Sequence, residues 1–173
     1  MERCSKCILP EVYPNITFDE KGECNYCKAH QKIQYQGTLK LKEDLEKYKT
    51  SGGKYDCLIP VSGGKDSIYV LYQLSKVYNM RVLAFNYDNC LTHSQAQENV
   101  QKITDSLGVD LVIKKNEKQK KYMTTNLKAY LRKPAVAMIP MFCTGCRYGI
   151  IGNAFNLAKE HHIPIVVIGW SPI

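Results

Sequence analysis

The sequence predicts an α/β protein, a doubly wound parallel sheet with a small four-cysteine, zinc-ribbon-like module at its N-terminus. Three observations carry this. From residue 55 onward, short apolar runs alternate with stretches of helical spacing. A glycine-rich segment joins the first of these runs to the helix that follows it. Two Cys-x-x-Cys pairs fall within the first 27 residues. Alternating strands and helices with near-continuous apolar strands place helices on both faces of a parallel sheet.

Residues 1–33 are dense in Cys, Pro and turn residues and form the cysteine module. Residues 34–53 form a helical linker. Within it residues 38–50 set Leu39, Leu41, Leu45 and Tyr48 among charges, as an amphipathic helix does. Ser51, Gly52 and Gly53 end it. Residues 54–173 form the α/β domain. Its first strand is residues 56–61, followed by a helix at 68–78. A second strand covers 81–87 and a helix covers 93–108, ended by Gly108. A third strand at 109–114 leads to a helix over 117–132, stopped near Pro134. Residues 134–142 favour no element. Residues 144–161 read as a helix with Ile150, Ile151, Ala154, Phe155 and Ala158 on one face, and 163–170 as a last strand. The sequence stops directly after that strand, so it reads either as a fragment truncated at its C-terminus or as a chain that completes its site with a partner.

The 173 residues carry a formal net charge of +8, with 45% hydrophobic and 23% charged residues. That composition suits a soluble globule. No run of about 18 apolar residues is present to span a membrane, and the first 20 residues lack the apolar core of a secretory signal. A cytoplasmic protein is expected. The positive balance suits a polyanionic partner, or serves solubility alone. Six of the eight cysteines fall in three Cys-x-x-Cys pairs. In a reducing compartment such pairs are metal ligands or redox centres before they are disulfides.

The segment Ser62-Gly63-Gly64-Lys65-Asp66-Ser67 sits between strand and helix. Two glycines let backbone N–H groups approach an anion, and the helix start adds the positive end of a dipole. Ser62 and Ser67 offer hydroxyls, Lys65 a point charge, and Asp66 a carboxylate for Mg2+. The spacing is not that of a Walker A loop. This segment resembles the PP-loop ATP pyrophosphatases, with a Rossmann-like fold of the adenine nucleotide alpha hydrolase type. Such enzymes bind ATP and Mg2+, let a substrate oxygen attack the alpha-phosphate, release pyrophosphate and leave an adenylate for a nitrogen or sulfur nucleophile. The resemblance implies that Ser62, Gly63, Gly64, Lys65, Asp66 and Ser67 clasp the pyrophosphate end, with Lys65 and Asp66 catalytic. It also implies that Pro60, Val61, Asn86 and Asp88 lie around adenosine.

Cys4/Cys7 and Cys24/Cys27 are separated by 16 residues, a spacing that fits a tetrahedral Zn2+ site with a structural role. The stretch from Cys4 to Cys27 also resembles the N-terminus of the N-acetyl sugar amidotransferases. That likeness covers roughly residues 1–110. It implies a sugar or nucleotide-sugar substrate, a glutaminase partner supplying ammonia, and a place in surface-polysaccharide biosynthesis. A homo-oligomer is expected.

The third pair, Cys143 and Cys146, opens the last helix and is expected near the nucleotide. Three readings stand for it. The thiols pass sulfur, as the pair typical of sulfur-transferring PP-loop enzymes does. Alternatively they ligate a [4Fe–4S] cluster or second metal, with Cys90 or an absent residue as third ligand, or they are inert. The first two lead to a rival function, a sulfurtransferase acting on tRNA or a small molecule. A nucleotide-binding module without chemistry of its own is the third class. Cys57, inside a strand, reads as a small buried hydrophobe.

Overall fold

Period-two alternation decides how the sheet is buried. The two central strands, β1 (Cys57–Pro60) and β2 (Val82–Asp88), run parallel in register from Cys57↔Val82 to Pro60↔Phe85. Successive side chains point to opposite faces. Cys57, Ile59, Val82 and Ala84 therefore pack on one side, with Leu45, Leu71, Leu74 and Val100 from the helices. Leu58, Leu83, Phe85 and Tyr87 pack on the other, with Ala154, Leu157 and Ala158. Both cores exclude water from the same two strands, which is why β1 and β2 read as almost unbroken apolar runs.

These positions come from a computed structural model, which describes residues 1–49, 52–135 and 138–170. Ser51 of the expected helix break, part of the unassigned stretch 134–142, and the terminal residues 171–173 lie outside that set. The chain divides into two compact units, Met1–Gly37 and Thr38–Ile173.

In the first unit two isolated antiparallel bridges, Arg3↔Pro10 and Phe18↔Cys24, frame a short helix, α1 (Asn25–Ala29). Asp19 organises the second turn. One carboxylate oxygen accepts from the N–H groups of Lys21 and Glu23 at 2.9 and 2.8 Å, and the other pairs with Lys28 at 2.8 Å.

In the second unit the helices covering the first face are α2 (Gly37–Lys49), α3 (Lys65–Tyr72) and α4 (Ser94–Leu107). Helix α3 runs on into a π turn at Gln73–Val77. Strand β3 (Asp110–Lys115) is an exposed edge, followed by α5 (Glu117–Arg132), α6 (Met141–Glu160) and the short β4 (Ile165–Val166). The sheet order is β3-β2-β1-β4, all parallel. The chain steps outward from β1 to β3, then returns across β1 to β4. The reversal opens a crevice at the carboxyl ends of β1 and β4, where ligands of such sheets bind.

The expected α/β fold and its four strands are present, with three local differences. Leu39 and Leu41 are exposed, and Leu45 alone of the three α2 leucines is buried. Phe155, placed by periodicity on the inner face of the last helix, is 57% exposed, while Leu157 is buried. Glycine and small residues all round α6 blur its apolar stripe, so its face is set by what fits against Phe85 and Tyr87. The last strand pairs at only two positions, although the Val167 N–H still donates to the Leu58 carbonyl at 2.9 Å.

The amino ends of β1 and β2 are tied by an ion pair. Asp56, 2% exposed, accepts from the Arg81 backbone N–H at 2.7 Å and from the Arg81 guanidinium. Burial alone would raise the Asp56 carboxyl, but the Arg81 side chain and N–H outweigh it and hold it below the ordinary value. A carboxyl depressed by folding stabilises fully above its unfolded value, and the contribution is lost as pH falls through the folded one. Asp56→Ala leaves the Arg81 N–H without its partner and is expected to cost about 2–3 kcal/mol in urea unfolding at neutral pH. The deficit relative to wild type should shrink in acid; an equal deficit at neutral and strongly acidic pH would remove the ion pair as its cause.

Candidate functional site

The chain leaving β1 passes directly against the first turn of α4. Gly63 has φ +80°, and a Cβ there would lie 2.3 Å from the Ala96 carbonyl oxygen. Only glycine fits both the left-handed backbone and that contact. The two serines flanking the glycines close the loop. The Ser62 and Ser67 hydroxyls are 3.3 Å apart, the Ser67 Oγ accepts from the Ser62 N–H at 3.2 Å, and it donates to the Gly64 carbonyl at 3.0 Å. Gly64 caps α3 and offers no side-chain acceptor, so the first N–H groups of that helix remain available to an anion. Lys65 and Asp66 are exposed, with Nζ and Oδ1 3.3 Å apart. A single carboxylate beside phosphate oxygens is a donor set that suits Mg2+, and Asp66 would hold it.

Beside the loop, at the carboxyl ends of β1 and β2, lies a cavity of about 140 Å³. Pro60, Val61, Ser62, Ser67 and Asn86 line it. The Asn86 side chain also joins the strands, its Nδ2 donating to the Val61 carbonyl at 2.7 Å. Asp88 is not among the lining residues. Its carboxylate accepts from the Cys90 N–H at 2.8 Å and its carbonyl from the Asn116 N–H at 2.8 Å, so it shapes the turn after β2. Gly63, Gly64, Lys65 and Asp66 stand at the loop rim rather than in the cavity wall.

The structure adds residues that sequence spacing did not single out. Asn89, Thr92, Ile150 and Trp170 complete the cavity wall. The Arg147 guanidinium stacks 5.0 Å from the Trp170 ring centroid. Trp170, the one tryptophan, was visible only as the end of an apolar run.

The late cysteines are divided. Cys146 lines the cavity, and its Sγ accepts from Asn89 Nδ2 at 3.5 Å. Cys143, in the first turn of α6, is exposed and outside the cavity wall. Among the described residues, no third His, Cys, Asp or Glu joins the pair into a three-ligand set, Cys90 included. Cys57, fully buried, has its thiol pushed up to about 12 by burial and then by Asp56, as befits an inert core residue.

The first unit does contain such a set. Cys4, Cys7, Cys24 and Cys27 bring their sulfurs within 4.8 Å of one another. Cys4 and Cys27 are 3.9 Å apart, and Cys7 and Cys24 3.6 Å. A metal held by four sulfurs at about 2.3 Å in a tetrahedron needs edges of about 3.8 Å, so the residues fit. The N–H groups of Lys6, Cys7 and Cys24 donate to the Cys4 sulfur at 3.4, 3.5 and 3.3 Å, which suits a thiolate. Burial opposes ionisation of Cys4, but the N–H groups of Cys7, Lys6 and Cys24 hold it down at about 6. Burial, then the thiols of Cys7, Cys24 and Cys4, push Cys27 up to about 12. Four thiolates together therefore require a cation.

A strand–loop–helix turn at a topological switch point, with two serine hydroxyls and the first N–H groups of a helix at one loop, suits the phosphates of a nucleotide. The family model of the PP-loop domain matches residues 37–158, and the chain belongs to that ATP pyrophosphatase-type family. An uncharacterized protein of Methanocaldococcus jannaschii is 31% identical over 117 residues, covering 64% of this chain and 42% of that protein. Among solved structures, the NH3-dependent NAD synthetase of Campylobacter jejuni superposes with a TM-score of 0.50 at 14% identity, over 73% of this chain and 54% of that one. The U34-tRNA thiolase of Methanococcus maripaludis, solved with its [4Fe–4S] cluster, gives 0.47 at 19% identity over 98% and 54%. The chain thus spans about half the length, or less, of the proteins it matches. Among the described residues no helix is long and apolar enough to cross a membrane.

Two outcomes test this geometry. Gly63→Ala is expected to displace the loop from α4 and weaken ATP binding by on the order of tenfold or more, measured by calorimetric titration; wild-type affinity would show that the contact is not needed. Metal bound by the first unit should fall to background in Cys24→Ser, measured by elemental analysis, and should dissociate as pH is lowered because protons compete for the sulfurs.

Proposed function

We propose that the chain activates a substrate carbonyl oxygen by AMP transfer and delivers it to a nitrogen nucleophile, as an N-acetyl sugar amidotransferase of surface-polysaccharide biosynthesis. The observation that carries this is the phosphate loop beside a cavity in which Ser62, Ser67 and Asn86 converge, within a PP-loop domain. Bound Mg2+, held by Asp66 and the phosphates, would neutralise charge developing on the departing pyrophosphate. Lys65 and the N–H groups at the start of α3 hold the pyrophosphate end. The acetamido oxygen attacks the alpha-phosphorus, and its bond to pyrophosphate breaks. Ammonia, supplied by a glutaminase partner, then adds to the activated carbon. AMP leaves with the former amide oxygen, a proton is lost, and an amidine results. Zinc in the four-cysteine site is structural in this reading, since a closed shell of sulfurs leaves no open position.

A sulfurtransferase acting on tRNA or a small molecule is the second reading. It is favoured by Cys146, whose sulfur faces the nucleotide cavity beside Asn89. Product mass separates the two: nitrogen transfer exchanges O for NH, and sulfur transfer exchanges O for S. Incubation with ATP, Mg2+, an ammonium salt and an N-acetyl sugar should release pyrophosphate and AMP with the lighter product. Lys65→Ala and Asp66→Ala are each expected to reduce pyrophosphate release by on the order of a hundredfold. Wild-type turnover in both variants would overturn the loop's role.

A further inference from the structure

A second, larger cavity lies between α5 and α6, at the carboxyl ends of β2 and β3. Its volume is about 600 Å³, within the range of about 300–1,000 Å³ usual for small-molecule sites. Its wall has no assigned role, and its chemistry is distinctive. None of its ten described lining residues is charged. This holds although α5 carries Lys118, Lys120, Lys121 and Lys128, all of which are exposed. The helix turns its amides inward and its lysines outward.

Gln119 is the decisive residue. It is 4% exposed, at the third position of α5. Its backbone N–H donates to the Asn116 carbonyl at 3.1 Å, but its side-chain amide has no hydrogen bond to any described residue. Among the described residues no fully enclosed side-chain nitrogen or oxygen lacks a partner. The Gln119 amide therefore touches the open space of the cavity it lines. Water in the open cavity can reach that amide, and a ligand there would replace those waters with its own polar groups.

The second polar group is Tyr87, which lines both this cavity and the nucleotide cavity. Its hydroxyl accepts from Asn116 Nδ2 at 2.6 Å, and its own proton has no acceptor among the described residues. Small residues on α6 make the room. A Cβ at Gly149 would lie 2.6 Å from the Tyr87 hydroxyl, and one at Gly145 would lie 3.6 Å from Gln119 Nε2. Gly145 and Gly149 face this cavity, and the next residues along, Cys146 and Ile150, face the nucleotide. The two cavities are neighbours across one tyrosine.

We propose that this cavity is the acceptor subsite and that it takes an uncharged acetamido sugar, with the Gln119 amide and the Tyr87 hydroxyl hydrogen-bonding its polar groups. The inference rests on the function proposed above. Amides and hydroxyls match sugar hydroxyls and an acetamido group, tyrosine rings match the apolar face of a pyranose, and the uncharged wall disfavours a phosphate inside.

Saturation-transfer NMR on the full chain, with N-acetylglucosamine and uridine as separate probes, tests it. The acetamido methyl signal is expected with wild type. It should weaken about tenfold in affinity with Gln119→Met, the loss of one neutral hydrogen bond. Gly145→Val, on an exposed position of α6, crowds the Gln119 amide from the cavity side without entering either core and should weaken the signal further. Lys128→Ala, on the outer face of α5, should bind as wild type does. No methyl signal with wild type, equal binding by all variants, or uridine binding in place of the sugar would each overturn the assignment. Pyrophosphate release separates the two levels. Sugar-dependent release that persists unchanged in Gln119→Met and Gly145→Val sinks the subsite and leaves the proposed reaction standing. Sugar binding weakened in both variants, with no release from wild type, leaves the subsite standing and sinks the reaction.

Discussion

The second unit turns on the contact of Gly63 with the first turn of α4. The chain must leave β1, present two serines and a helix start to an anion, and still let α4 dock on the sheet. With a Cβ at residue 63 only 2.3 Å from the Ala96 carbonyl oxygen, these demands are compatible for glycine alone. The contact brings α4 close enough for Val100 to seal the core against Ile59 and Ala84. It also holds the loop open towards the crevice between β1 and β4. Binding loop and hydrophobic core are thus joined through one backbone-to-backbone approach.

That coupling explains why the loop was legible in sequence. Ser62 to Ser67 are consecutive, and the apolar run before them and the helix after them are local features. The same holds for the four cysteines of the first unit, because two tight knuckles each place two sulfurs by local turn geometry. Helix α5 was also plain, with an Asn116 cap accepting from the Lys118 N–H.

What the sequence hid was set by packing between distant segments. Gln119 looks like any polar residue on a lysine-rich helix, and only the docking of α6 buries it. Gly145 and Gly149 look like weaknesses in a helix until Gln119 and Tyr87 are seen opposite them. Phe155 and Leu157 exchange their expected roles because the wall formed by Phe85 and Tyr87 selects the face of α6. Trp170 joins the nucleotide wall through a strand with only two paired residues, too short for its register to be read from alternation.

The division of α6 is the last link between fold and chemistry. Gly145 and Gly149 face the large uncharged cavity, and Cys146 and Ile150 face the smaller one beside the loop. Positions one apart on a helix differ by about a third of a turn, so one rigid helix serves two compartments at once. A thiol at residue 146 then belongs to the wall of the cavity beside the loop, whatever the nucleophile. A thiol at residue 143, one turn earlier and exposed, is outside it. The register of α6, set by its packing on Phe85 and Tyr87, is therefore what decides which thiol meets that cavity.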